Sequence, residues 1–270
     1  YRFGEAAQEY VHVDMDGFLH AAYLQDSWAV DHRLSLLPGL RFSYLSNGGY
    51  HGWGPRLAAR YQLGSNTCLK GAAGLYHQYL FSLAREFQGI SLMSNIWTVA
   101  DSTAAPSEAR HYIAGAETRW AGLDLDAEAY FKEYEGLYEI NYENQESTAL
   151  GDILRRGDGQ AYGVDLLIKK RAGRHTGWLS FSTALSERTI AGLNLGEDGW
   201  EQPFRSKFDR RFSVDLVYSY HFRRQWTFNA AFSGASGQPY TQVLGRGEIE
   251  EPSGFRWTFD EKGTLNGVRL

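Results

Sequence analysis

At 270 residues, 43% of them hydrophobic and with a formal net charge of -5, the chain is long enough for one large sheet or two ordinary domains. A mean hydropathy of -0.43, with no stretch near the roughly 20 consecutive apolar residues of a spanning helix, argues against a helical membrane protein. The mild charge leaves no nucleic-acid footprint, and the single Cys68 excludes an internal disulfide framework or a multi-cysteine metal site.

In chain order the sequence predicts about eleven strands: one near the start, then roughly 17–30, 33–46, 54–63, 68–86, 110–120, 123–139, 161–171, 175–187, 208–222 and 226–236. The signal is a period-2 alternation. Leu123, Leu125, Ala127, Ala129 and Phe131 alternate with Asp124, Asp126, Glu128, Tyr130 and Lys132, which gives one apolar and one charged face. Leu57, Ala59, Tyr61 and Leu63 alternate with Arg56, Ala58, Arg60 and Gln62, and Phe212 to Phe222 repeats the pattern. These runs reach roughly 8–11 residues, longer than an ordinary strand and close to the length of a tilted strand crossing a bilayer. The expected face assignment puts Leu57, Leu123, Leu125, Phe131, Leu216 and Tyr218 outward. Arg56, Arg60, Asp124, Glu128 and Asp215 point inward.

The connections fall into two alternating classes. Asp31-His32-Arg33, Gly64-Ser65-Asn66-Thr67, Ala121-Gly122, Ala172-Gly173-Arg174 and Arg223-Arg224-Gln225 are short and mostly rich in turn residues. The segments near 46–54, 87–109, 141–160, 188–207 and from 237 onward are long. Strict alternation of short turns and long loops is the habit of outer-membrane barrels. Trp28, Trp120, Trp178 and Trp226 lie near the short turns, while Trp53, Trp97, Trp200 and Trp257 lie in or beside the long loops. The first set suits an interfacial girdle, apart from Trp178, whose parity is that of the charged face. Asp26 and His20 share the apolar parity of Phe18, Ala22, Leu24 and Trp28, and Pro38 interrupts its strand, which requires a bulge or a break in pairing. Lys170 takes the apolar parity beside a turn, where it can snorkel.

Several blocks resemble the C-terminal half of a TonB-dependent receptor, the outer-membrane active transporter family. They are Tyr23-Leu24-Gln25-Asp26-Ser27-Trp28, Leu37-Pro38-Gly39-Leu40-Arg41 and Pro55-Arg56-Leu57-Ala58-Ala59-Arg60-Tyr61, followed by Gly163 to Lys170, Gly177 to Ser182, Asp209-Arg210-Arg211-Phe212 and Ser236-Gly237-Gln238-Pro239-Tyr240-Thr241. The resemblance implies an all-β, antiparallel up-and-down transmembrane β-barrel, of which this chain would supply about 11 of roughly 22 strands. It also implies an N-terminal plug and energising by the TonB complex through a box ahead of that plug. No signal peptide, box or plug is legible, and Asn266 to Leu270 completes no obvious strand. Residues 1–270 are therefore expected to be part of a single barrel domain, a fragment with the plug absent, forming either an open sheet with two unpaired edges or a forced small barrel.

No Gly-x-Ser-x-Gly elbow, His-Glu-x-x-His or Walker loop occurs. Gly157-Asp158-Gly159 precedes a strand, so it is no phosphate cradle. Asp124, Asp126, Glu128 and Asp165 alternate with apolar neighbours, which reads as a wet lumenal lining rather than acid/base chemistry; Arg41, Arg56, Arg60 and Lys132 are the matching lumenal cations, expected to contact the plug or substrate. Tyr50, His51 and Trp53, Trp97, and Trp200 are the candidate ligand contacts of the long loops. The expected partners are the lipid bilayer, the TonB complex and a small nutrient such as a siderophore, cobalamin, glycan or peptide. No catalytic residue, cofactor, metal or nucleic acid is expected. Two rivals remain at this point: a passive porin or adhesin barrel, and a secreted β-rich carbohydrate-active enzyme, which would need shorter strands and a convergent acid pair.

Overall fold

The computed structural model describes residues 16–84, 95–140, 154–223, 225–251, 254–262 and 265–269. In chain order the strands are β1 (Leu19–Gln25), β2 (Trp28–Ala29), β3 (Leu34–Leu45), β4 (Tyr50–Gln62), β5 (Thr67–Gln78), β6 (Leu80–Ala84), β7 (Asn95–Val99), β8 (Ser107–Trp120) and β9 (Leu123–Ile140). They continue with β10 (Leu154–Lys170), β11 (His175–Ile190), β12 (Phe204–Arg205), β13 (Phe212–Arg223), β14 (Trp226–Ala235), β15 (Pro239–Tyr240), β16 (Val243–Glu251), β17 (Gly254–Lys262) and β18 (Val268–Arg269). Among the described residues there is no α-helix, only one 3-10 turn at Asn47–Gly49.

One 12-stranded antiparallel sheet holds nearly all of the wall, in the order β1-β3-β4-β5-β8-β9-β10-β11-β13-β14, with β2 beside β3 and β12 beside β11. β1 and β14 are not paired to each other, so the sheet is open, a partial barrel with an edge at each side. β6–β7 and β16–β17 are separate hairpins, and β15 pairs with β18.

The register carries the alternation from strand to strand. Directly paired residues share a face, and Ala59↔Gly71, Gly71↔Ala114 and Ala114↔Ala129 form one continuous row. The adjoining row is Leu57↔Ala73, Ala73↔Tyr112, Tyr112↔Phe131 and Phe131↔Tyr162. This apolar face is the more exposed one: Leu57 keeps 48% of its surface, Phe131 37% and Phe232 59%. On β10 the exposed and half-buried classes alternate residue by residue, with Tyr162, Val164 and Leu166 exposed and Ala161, Gly163 and Asp165 half-buried. A water-soluble sheet would bury the leucines and expose the carboxylates, whereas a wall against lipid does the reverse.

The band has chemical limits on one face. At the short-turn end it starts at Trp120↔Leu123, and at the other end it stops at the aromatic row Tyr112, Phe131 and Tyr162. One step farther along the same parity the side chains become Arg110, Glu133, Gln160 and Glu187. From Leu123 to Phe131 is about 26 Å of strand at 3.3 Å per residue, or about 20 Å of height at barrel tilt. The strands continue past this limit, which is why β9 and β10 are 18 and 17 residues long.

Beyond the band a glycine resets the alternation. Gly136 takes φ 71° in a β-bulge where Tyr134 faces Gly159 but Leu137 faces Gly157. The bulge is held by the Asp158 carboxylate, which accepts from Gly136 N at 3.1 Å, and by Ser107 Oγ, which donates to Gly136 O at 2.5 Å. The offset turns Tyr138 and Ile140 into a buried cluster with Leu154, Leu45, Tyr79, Phe81, Leu83, Ala100 and Ala104. In this cluster Tyr50 Oη donates to Asp101 O, Tyr138 Oη donates to Ala105 O, and Phe81 meets the Tyr138 ring edge-on. The long connection carrying β6 and β7 is thus a folded cap on the sheet end. A second cap gathers around the buried carboxylate of Asp209, which accepts from Ser186 N at 3.0 Å and pairs with Arg269.

Several boundaries differ from the sequence reading. The predicted strand 68–86 breaks at Tyr79 into β5 and β6, and residues 50–53 and 154–160, expected in loops, are strand. The region after 237, expected to be loop, holds the β16–β17 hairpin, and Val268–Arg269 pairs with Pro239–Tyr240 although no strand was legible there. The strand expected near the start, if it precedes residue 16, lies outside the described residues.

Candidate ligand-facing surface of the sheet

The charged face is built by β4, β5, β8, β9 and β10, whose registers bring Arg60↔Lys70, Cys68↔Glu117, Glu117↔Asp126 and Asp126↔Leu167 into line. Lys70 is the hub. Its Nζ reaches past the intervening strand to Asp126 at 2.8 Å, lies 3.3 Å from Glu117, and also contacts Glu128. Only 19% of the Lys70 side chain is exposed. Arg60 Nη2 meets Glu117 Oε2 at 2.5 Å, and the carboxylate of Asp124 is shared by Arg119 at 2.8 Å and by Arg171 at 2.5 Å. Gly115 leaves the room for this convergence: a Cβ there would lie 3.0 Å from both Glu128 Cγ and Lys70 Cε.

The expected charged set separates as follows. Asp124, Asp126, Glu128 and Arg60 meet in this network near the short turns. Arg56 lies four residues farther along β4, stacked over Tyr76 at 4.4 Å, and Arg41 is on β3, paired with Tyr23 and Gly54. Sequence reasoning missed Lys70, Glu117, Arg119 and Arg171 as members. Lys70 and Glu117 hold the charged parity of their own strands, but only the β5–β8 register, which skips the whole 79–106 connection, places them beside Asp126.

The expected loop contacts do not form one cluster. Tyr50, His51 and Trp53 lie on β4 and alternate faces: Tyr50 is packed into the cap, whereas His51 pairs with Tyr44 and Trp53 with Phe42 on the apolar parity. The Trp53 and Phe42 rings stand 4.7 Å apart. Trp97 is on β7 and Trp200 in the connection after β11; both are exposed. Near the short turns Trp28, Trp120 and Trp226 are exposed on the apolar parity, whereas Trp178 pairs with Lys169 and Val217 on the charged face.

A family model described as "TonB dependent receptor-like, beta-barrel" matches residues 4–245. No curated protein matches the sequence. Among solved structures, the chain resembles the ferric-catecholate import receptor Fiu of Escherichia coli K12 with a TM-score of 0.62 at 14% identity, covering 89% of this chain and 37% of that one. It resembles the pyoverdine outer-membrane receptor FpvA of Pseudomonas aeruginosa PAO1 with a TM-score of 0.58 at 14% identity, covering 92% and 34%. For the siderophore receptor PirA of Acinetobacter baumannii the TM-score is 0.54 at 14% identity, covering 82% and 34%. At these identities the likeness is one of fold, and the chain spans about a third of the length of each. With nine-tenths of its residues inside the family model, an exposed apolar face and short turns alternating with long connections, the chain belongs to the TonB-dependent receptor β-barrel family, and its sheet is part of the wall of a Gram-negative outer-membrane barrel.

Proposed function

We propose that this chain supplies wall strands and extracellular connections to a receptor that takes up a small nutrient across the outer membrane, driven by the TonB complex through a region outside these residues. The carrying observation is the two-faced sheet within the family match. Its apolar face is exposed, while Lys70, Glu117, Asp126 and Glu128 knit three strands on the other. In this reading the charged face lines the lumen, and the ionic network near the short turns steadies the wall where a plug would seat. The caps around Tyr138 and Asp209 hold the long connections in place above the outer leaflet. The wall and connections carry no covalent chemistry.

The test is uptake by the full-length receptor in a Gram-negative host lacking its own iron receptors, with a panel of radiolabelled ferric chelates, cobalamin and oligosaccharides. Accumulation of at least one compound that is abolished by a protonophore and by loss of TonB is expected. Permeation of all of them at equal rates with and without TonB would make the protein a passive pore.

A further inference from the structure

Above the ionic network the charged face changes character. Near the short turns Arg60, Lys70, Arg119 and Arg171 each meet a carboxylate. Farther toward the long connections, Arg56 and Lys132 form no ion pair among the described residues. Each lies instead on an aromatic face: the Arg56 guanidinium carbon is 4.4 Å from the centre of the Tyr76 ring, and Lys132 Nζ is 4.8 Å from that of Tyr130. The Tyr76 ring is 4.5 Å from His111, and His111 meets Tyr134 edge-on at 6.3 Å. His111 is paired with both Gly74 and Lys132, so these six side chains from β4, β5, β8 and β9 form one surface.

Glycines set the rings against the wall. A Cβ on Gly74 would come within 3.1 Å of the Tyr76 ring, and one on Gly163 would come 2.6 Å from the Tyr130 hydroxyl. A π face attracts a cation without neutralising it, so the patch keeps its positive charge beside flat aromatic surfaces. It stands level with Tyr112 and Phe131, at the limit of the apolar band nearest the long connections.

We propose that this patch binds an anionic ligand bearing a planar π group, which enters from the side of the long connections. The proposal rests on the uptake reading and adds the chemical class of the cargo. A neutral ligand gains little from Arg56 and Lys132, and a cation is repelled by them. An anion pairs with both while its planar part stacks on the tyrosines. Acidic side chains of another segment of the receptor are the competing occupant, and the test separates the two.

The experiment uses the purified full-length receptor in detergent, with quenching of intrinsic fluorescence by two probes: the anionic ferric complex of 2,3-dihydroxybenzoate and an uncharged ferric trihydroxamate. Wild type is expected to bind the anionic probe about tenfold or more tightly than the neutral one. R56Q and K132Q should each lose about tenfold for the anionic probe alone, while Glu187→Gln, on the opposite parity, changes neither. Heat-modifiable mobility on gels confirms that each variant is folded. Equal affinity for both probes, binding of neither by wild type, or a folded R56Q/K132Q receptor with unchanged preference overturns the proposal. So does a double variant that loses thermal stability but keeps its preference, since that assigns the cations to another segment. Each of these results leaves TonB-dependent accumulation, measured separately in cells, as the judge of the uptake reading.

Discussion

The indole nitrogen of Trp28 donates to Oδ2 of Asp26 at 2.6 Å, and the other oxygen of the same carboxylate accepts from Ser27 N at 2.8 Å. This accounts for an acid on the apolar parity. Asp26 sits at the gap between β1 and β2, opposite Pro38, which lacks an N–H; Asp26 N still donates to Pro38 O. The carboxylate thus holds the strand through the break and orients a girdle tryptophan. Asp26→Leu makes the face more apolar yet should lower the stability of the full-length receptor by about 1 kcal/mol, read as a lower urea midpoint. Asp26→Asn, which keeps one acceptor, should fall between the two. A gain in stability for the leucine variant would show that the hydrogen bonds are incidental.

The turn between β8 and β9 contains an avoidable cost. Ala121 has φ 49° and Gly122 φ 78°, the signature of a two-residue turn with both central residues in the left-handed region. Alanine is disfavoured there by roughly 1 kcal/mol, whereas asparagine tolerates it. Ala121→Asn should raise the midpoint of thermal unfolding, and Ala121→Val should lower it by more than asparagine raises it.

Gly136 is constrained twice, by φ 71° and by the Arg156 guanidinium, whose nearest atom would lie 2.7 Å from a Cβ. Gly136→Ala should cost roughly 1–2 kcal/mol. Because the bulge sets the parity of Tyr138 and Ile140, the loss should appear as faster amide exchange at β9 beyond residue 136. Exchange within Leu123 to Phe131 should be unchanged.

Asp31 supplies the pH dependence. Its Oδ1 accepts from Arg33 N at 2.6 Å and Leu34 N at 2.8 Å, and these bonds hold its carboxyl below the ordinary carboxylate value. A depressed folded-state value means that the stabilisation is fully present above the unfolded-state value. It disappears as pH falls through the folded one. The stability difference between wild type and Asp31→Ala should therefore be constant from neutral pH down to about 5 and close only below about pH 4. A difference that instead grew on acidification would contradict this turn chemistry.

The strands were legible where lipid on one side and charge on the other force alternation, as from Leu123 to Lys132. They were illegible where both faces meet water. At Arg155-Arg156-Gly157-Asp158-Gly159 the sequence is polar and glycine-rich on both parities, yet β10 runs through it. The break at Tyr79 is set by tertiary packing, because Tyr79 is buried with its hydroxyl 2.8 Å from Ser43 Oγ. Arg60, Asp124, Asp126 and Glu128 were legible as one charged face. Their partners were not, since Lys70 and Glu117 join them only through two strands whose paired residues are 29 or more apart in sequence, across a folded connection.

Lys70 tests how that network is held together. One ammonium group lies among three carboxylates, on a side chain that is largely buried, so its removal leaves Glu117, Asp126 and Glu128 facing one another. Lys70→Met keeps the stem and removes the charge, and should cost roughly 2 kcal/mol, the scale of leaving hydrogen-bonded charged groups unpaired. If repulsion among the carboxylates causes the loss, adding Asp126→Asn to Lys70→Met should recover part of it, although Asp126→Asn alone destabilises. High salt should do the same by screening. The pair is therefore predicted to be non-additive in a double-mutant cycle on the full-length receptor, with a coupling of about 1 kcal/mol. Additive losses would mean that Lys70 contributes through the packing of its methylene stem, and that the charges around it are solvated independently.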